Sequence, residues 1–179
     1  MMTGSEISIR YASPQDAGLL ADLGAKTFIH TYAESNPFEN IEAYVQDSFS
    51  PEKQAAEIAD PANLFLIAEI KGQVFGYAQL TSSSHSPRLA NQNPVELVRI
   101  YLLPEFIGKG LGSRLMQACL QEARAKGHDA IWLGVWEHNP RAIAFYQKWG
   151  FKQIGTQQFT LGADLQTDWI MALDLRAAT

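Results

Sequence analysis

Residues 95–119 constrain this chain more than any other stretch. They open with the nearly unbroken apolar run VELVRIYLL, which Pro94 and Pro104 flank, and continue as EFIGKGLGSRLMQAC. A run rich in β-branched and aromatic residues, with both prolines outside it, predicts a central strand. Gly108, Gly110 and Gly112 then alternate with Lys109 and Leu111, and Leu111, Leu115, Ala118 and Cys119 recur at helical spacing. The reading is strand, glycine turn, helix. Each glycine costs a helix about 1 kcal/mol relative to alanine, so something other than helix stability must favour them. A glycine-rich turn at a helix start leaves backbone amides unobstructed and adds the positive end of the helix dipole, a combination that suits a phosphate. The spacing is GxGxG, neither the GxxxxGK[ST] loop nor the GxGxxG dinucleotide fingerprint, so both common nucleotide motifs are disfavoured.

The remaining elements follow from local signals. Ile7, Ile9 and Tyr11 alternate with polar residues and predict a first strand; Ser13-Pro14 reads as a cap and first helical residue, followed by a helix to about His30. A second helix spans about Phe38 to Ser48, and Ser50-Pro51 caps a third that ends near Asp60-Pro61. NLFLIAEIKGQVFGYAQLTSS reads as a hairpin turning at Lys71-Gly72-Gln73, and polar Ser82 to Asn93 as a surface loop. The helix Lys109–Lys126 stops at Gly127, strand AIWLGVW follows, and Asn139-Pro140 starts a helix that stops at Gly150. Two last strands are expected at Phe151–Leu161 and Asp168–Leu175, joined by GADLQT. Alternating strands and helices in the middle with hairpins at both ends predict an α+β protein with a mixed sheet.

Composition bounds the function. The 179 residues, 46% hydrophobic and 18% charged, fit one domain over 1–179 with a core of its own. A net charge of -5 argues against nonspecific nucleic-acid binding and favours small cationic partners. MMTGSEISIR lacks an apolar signal core and no apolar run approaches membrane-spanning length, so no membrane partner and a cytoplasmic location are expected. Cys119, the single cysteine, sits on the helix's apolar stripe and reads as a core thiol rather than a nucleophile. His30, His85, His128 and His138 show no metal-ligand spacing, and no metal is expected.

Glu96 is the first candidate for chemistry, because a carboxylate in an apolar central strand is costly to bury unless it is paired or used. Arg99 is the nearby partner, but strict alternation sends residues three apart to opposite faces unless the strand bulges. Both readings, base and structural partner, stay open.

The glycine turn IGKGLG resembles motif A of the GNAT superfamily of acetyl-CoA-dependent N-acetyltransferases, usually Q/R-x-x-G-x-G/A, with Ile107 in place of the usual Gln or Arg. Residues 132–151, WLGVWEHNPRAIAFYQKWGF, resemble the family's motif B. The resemblance implies a GNAT fold, a twisted mixed sheet splayed between its fourth and fifth strands, with acetyl-CoA as co-substrate. It implies a pyrophosphate held by the amides of Gly108, Lys109, Gly110, Leu111, Gly112 and Ser113, with Lys109 and Arg114 as candidate charges. Main-chain groups of Leu102 and Leu103 would pair with pantetheine, and Asn139 would cap its helix and touch the same arm. Glu96 stands at a position where several members carry a general base, and Tyr146 is the motif-B tyrosine that returns a proton to the departing thiolate; the alternative for Tyr146 is an ordinary core aromatic.

The acceptor implied is a small-molecule primary amine. TFIHTYAESNPFENIEAYVQDSF and ADLQTDWIM look most like the bacterial spermine/spermidine acetyltransferase branch, and Glu34, Glu39, Glu42, Asp47, Asp164 and Asp168 offer anionic contacts to a polyamine. A protein N-terminus, a lysine, an amino sugar or an antibiotic amine are the alternatives, as is an acyl-CoA-binding regulatory module without turnover. Family analogy adds a homodimer formed through the terminal strands.

Overall fold

In the computed structural model, residues 7–176 are described; the first residues of the chain and the outer ends of the expected 1–179 unit lie outside them. Seven strands form one sheet in the order β1-β2-β3-β4-β5-β7-β6. They are β1 (Ile7–Tyr11), β2 (Asn63–Ile70), β3 (Gln73–Thr81), β4 (Pro94–Leu102), β5 (Ala130–Trp136), β6 (Lys152–Leu161) and β7 (Asp164–Asp174). Neighbours run antiparallel except β4 and β5, which are parallel. This is the expected mixed sheet. Five α-helices flank it: α1 (Ala17–Tyr32), α2 (Phe38–Ser48), α3 (Pro51–Ala59), α4 (Leu111–Ala125) and α5 (Pro140–Lys148).

The two faces of the sheet bury different helices. On one, Leu115, Met116, Cys119 and Ala123 of α4 pack with Leu66, Leu80, Leu97 and Leu133. On the other, Leu20 and Leu23 of α1 pack with Phe65, Ile67 and Tyr77. Phe28, Tyr44 and Phe49 extend that second layer as a ring cluster between α1 and α2. No described helix is long and apolar enough to cross a membrane.

Local chemistry explains most boundaries, and several differ from expectation; α4, expected from Lys109, begins at Leu111 with Gly110 as its N-cap. Ser13 does not cap α1: Pro14–Asp16 forms a single 3-10 turn first, and the Ser13 N–H donates to the Asp16 carboxylate at 2.8 Å. The β2–β3 turn is the pair Lys71-Gly72, both at positive φ, and Gln73 already belongs to β3; two left-handed residues match the twist of a two-residue hairpin. The β6–β7 connection is also shorter than GADLQT. Asp164 to Thr167 continue β7, pairing with residues 158–161 of β6, so only Gly162-Ala163 turns. Polar side chains and an exposed Leu165 hide that extension from any hydrophobic pattern. It is fixed by side-chain bonds to the α1–α2 segment: Asn40 Nδ2 donates to Asp164 at 2.9 Å and Gln166 Nε2 to Asn36 Oδ1 at 2.6 Å.

One irregularity positions the site. Thr81 faces Glu96 and Leu80 faces Leu97, but Gln79 faces Arg99, so Val98 is an extra residue in β4. Such a bulge reverses the alternation beyond it. Leu97 and Ile100 therefore share the α4 face, while Glu96 and Arg99 share the α1 face.

Candidate active site

Parallel pairing of β4 with β5 covers only Pro94–Glu96 against Ala130–Trp132, although both strands run on for several residues. Past that point they diverge, and a cleft of about 550 Å³ opens between them. β4 contributes residues 97–102, β5 contributes Gly134 and Val135, and α1, the glycine turn and α5 complete the wall.

Backbone groups on β4 line this gap without a sheet partner. The Leu103 N–H donates to the Phe75 carbonyl at 2.8 Å, toward β3. By alternation the N–H and C=O of Leu102 and Ile100 point the other way, into the gap. Of the two leucines expected to offer main-chain groups, Leu102 faces the gap together with Ile100, whereas the Leu103 N–H is bonded within the sheet.

At the mouth, Gly108 and Gly110 have φ of +79° and +76°, a region that costs other residues about 1–2 kcal/mol. Their backbone turns the start of α4 toward the cleft, where Gly108, Gly110, Gly112 and Ser113 all contribute to the lining. No side chain caps this helix, so its first amides and the positive end of its dipole are open to an anion. A pyrophosphate fits this terminus, and an extended pantetheine arm fits the unpaired edge of β4. Lys109 instead lays its ammonium over the Phe106 ring, 5.7 Å from the centroid. Leu111 is core, and Arg114 lines a separate groove between β1 and α4. Two cations that sequence reading missed, Arg141 and Lys148, reach the cleft from α5; nothing in the local sequence separates either from a solvated helix residue.

From α5, Asn139 and Tyr146 both reach the cleft. The Asn139 side chain accepts from the Ala142 N–H at 3.2 Å, the predicted cap. Burial pushes the Tyr146 hydroxyl up, with Tyr101 and Cys119 adding to it, so it stays protonated at neutral pH. Cys119 is fully buried and burial pushes its thiol up to about 12, which removes the thiolate a nucleophile requires.

Glu96 is half-buried opposite Trp132, in the last paired rung before the strands separate, and does not itself line the cleft. Burial raises its pKa, against a hydrogen bond from Ser84 and the charge of Arg99. Arg99 does line the cleft. Its guanidinium donates to Gln79 Oε1 at 2.8 Å, pairs with Glu57 at 3.3 Å and lies over the Phe49 ring. Its principal partners are thus Gln79 and Glu57, not Glu96.

Comparison with known proteins agrees with this geometry. The Acetyltransferase (GNAT) family model matches residues 26–151. An uncharacterized N-acetyltransferase of Lactobacillus delbrueckii subsp. lactis is 31% identical over 95% of this chain and 97% of its own. The spermidine N(1)-acetyltransferase of Thermoplasma acidophilum is 30% identical over 82% and 88%. The crystal structure of the PaiA N-acetyltransferase of Thermoplasma acidophilum in complex with coenzyme A superposes with a TM-score of 0.76 at 27% identity, covering 97% of this chain and 99% of that one. With a splayed β4–β5 pair, an uncapped glycine-rich helix start and these relatives, the chain belongs to the GNAT acetyltransferase family and is an N-acetyltransferase.

Proposed function

We propose that this protein transfers the acetyl group of acetyl-CoA directly to a primary amine, with a polyamine as the acceptor class. The observation that carries the reading is the early end of β4–β5 pairing, which exposes main-chain donors along a cleft whose mouth is a bare helix N-terminus. Acetyl-CoA supplies an activated thioester. The chain supplies the rest: the amides of Gly108 to Ser113 hold the pyrophosphate, and Leu102 with Ile100 orients the arm. Bulged β4 presents fixed amide dipoles toward the carbonyl, where preorganised donors are worth most.

An alkylamine with a pKa near ~10.4 is almost wholly protonated at pH 7, and only its neutral form attacks. Glu96, at the last closed rung, accepts that proton through water; its raised pKa matches the task better than an ordinary carboxylate would. Tyr146 stays protonated in the same cleft and returns a proton to the sulfur as the thiolate leaves. Polyamine preference draws support from the spermidine N(1)-acetyltransferase relative and from the neutralisation of Arg99 by Glu57, which lowers the positive potential a polycation would meet.

Thiol release from acetyl-CoA, measured with a panel of polyamines, lysine peptides, amino sugars and antibiotic amines, tests the reading. Saturable turnover with spermidine or spermine is the expected outcome. Saturable CoA binding without turnover of any amine would instead leave an acyl-CoA-binding module.

A further inference from the structure

On β7, beside the cleft-lining Gly134, an acidic side chain lies buried without a cation. Asp168 on β7 is 9% exposed, and among the described residues no basic side chain pairs with it. Gln157 is its hydrogen-bond partner, and the other charge that acts on it is a second carboxylate, Glu137. Such a carboxylate is costly to bury unless something positive arrives to meet it.

Its location suits an arriving ligand. Gly134, on the cleft wall where β5 begins to part from β4, has no side chain. A methyl group built there would lie 3.2 Å from Asp168 Oδ2 and 2.5 Å from Gln157 Nε2. The carboxylate therefore sits directly against the cleft wall at Gly134, although Asp168 does not itself line the cleft. Tyr32, also on the wall, is within electrostatic reach of Asp168, Tyr101 and Tyr146. Its ring packs against Trp136 at 5.5 Å between centroids, and Trp136 is the direct β5 neighbour of Asp168. A buried carboxylate near two aromatic rings suits an alkylammonium ion, since ring faces attract cations most strongly where water is excluded.

We propose that Asp168 is the acceptor anchor: its carboxylate, reached past Gly134, receives the ammonium group of the amine beside the rings of Tyr32 and Trp136. This deepens the acetyltransferase reading and rests on it for the reaction, with proton removal remaining at Glu96. It assigns the acceptor as an alkylammonium compound and excludes anionic acceptors.

The test uses the full-length protein and spermidine as the probe, read in two ways. In steady-state transfer from acetyl-CoA, Asp168→Asn should raise the spermidine KM by about 10- to 100-fold, the usual consequence of losing one hydrogen bond to a charged group. The acetyl-CoA KM should move less than about twofold, and Asp168→Glu should recover part of the loss. Titration calorimetry of spermidine into CoA-saturated protein should show the same weakening without turnover. Unchanged spermidine KM and binding in Asp168→Asn would overturn the anchor while leaving the acetyltransferase reading intact. Equal loss of acetyl-CoA and spermidine would also overturn it, marking Asp168 as scaffold. Asp168-dependent spermidine binding in a protein that turns over no amine would uphold the anchor and remove the transferase reading.

Discussion

Glu96 and Arg99 share the α1 face of β4 although three positions separate them, because the extra residue Val98 shifts the register between Leu97 and Arg99. The bulge brings a carboxylate and a guanidinium to the same side at the point where the strand parts from β5. Arg99 is nonetheless satisfied by Gln79 and Glu57, which frees Glu96 for another role. Glu96→Gln should therefore lower kcat by about 10²-fold or more, the range for a positioned acid or base, with melting temperature and CoA affinity little changed. A lowered melting temperature with kcat retained would assign Glu96 to structure instead.

In the proposed reaction Tyr146 carries the opposite half of the proton traffic. Burial raises its pKa, so the hydroxyl keeps its proton at neutral pH. Tyr146→Phe keeps the ring that packs against Phe145 and Phe151 and removes only the hydroxyl. Steady-state kinetics should show kcat reduced by about 10²-fold with both KM values nearly unchanged. A wild-type kcat in this variant would make Tyr146 a packing residue alone.

Gly110 is needed for its backbone. At φ +76°, with open space around the position of a Cβ, alanine would meet no atom but would strain the chain by about 1–2 kcal/mol. Gly110→Ala should relieve that strain by rotating the start of α4 away from the cleft. CoA affinity measured by calorimetry should fall by roughly tenfold, the equivalent of about 1.4 kcal/mol. Gly112, which lies inside the helix against Phe145 at 3.5 Å, should tolerate alanine better.

The fold was legible wherever one signal dominated. The run around Ile100, the paired caps Ser50-Pro51 and Asn139-Pro140, and the glycine stops at Gly127 and Gly150 each specify a local structure by sterics or hydrogen bonding. Other features depend on partners distant in the chain. The Val98 bulge arises from pairing with β3 and leaves no composition mark. The Leu103 amide is taken by Phe75, a neighbour only once β3 and β4 align. Arg141 and Lys148 on α5 acquire meaning only from the cleft that they border, and Asp168 looked like one surface acid among several until β5 and β6 closed over it.

Asp168 also sets a measurable pH dependence of stability. Its folded pKa is raised to about 6, first by burial and then by Glu137, against a hydrogen bond from Gln157, whereas an unfolded aspartate titrates near ~3.9. Between those values the native state holds a proton that the unfolded state has released. By linkage this carboxyl's contribution to stability falls as pH rises from about 4 to about 6 and stays low above that. Asp168→Asn removes the penalty. The variant should match wild type near pH 4 and be the more stable protein at pH 7, by at most roughly 2–3 kcal/mol given ~1.4 kcal/mol per pKa unit. Denaturant melts of both proteins at half-unit steps from pH 4 to 8 would show the gap opening by pH 6 and then holding constant. A gap independent of pH, or wild type the more stable at pH 7, would mean that the carboxylate is already neutralised within the fold and has no need of an incoming cation.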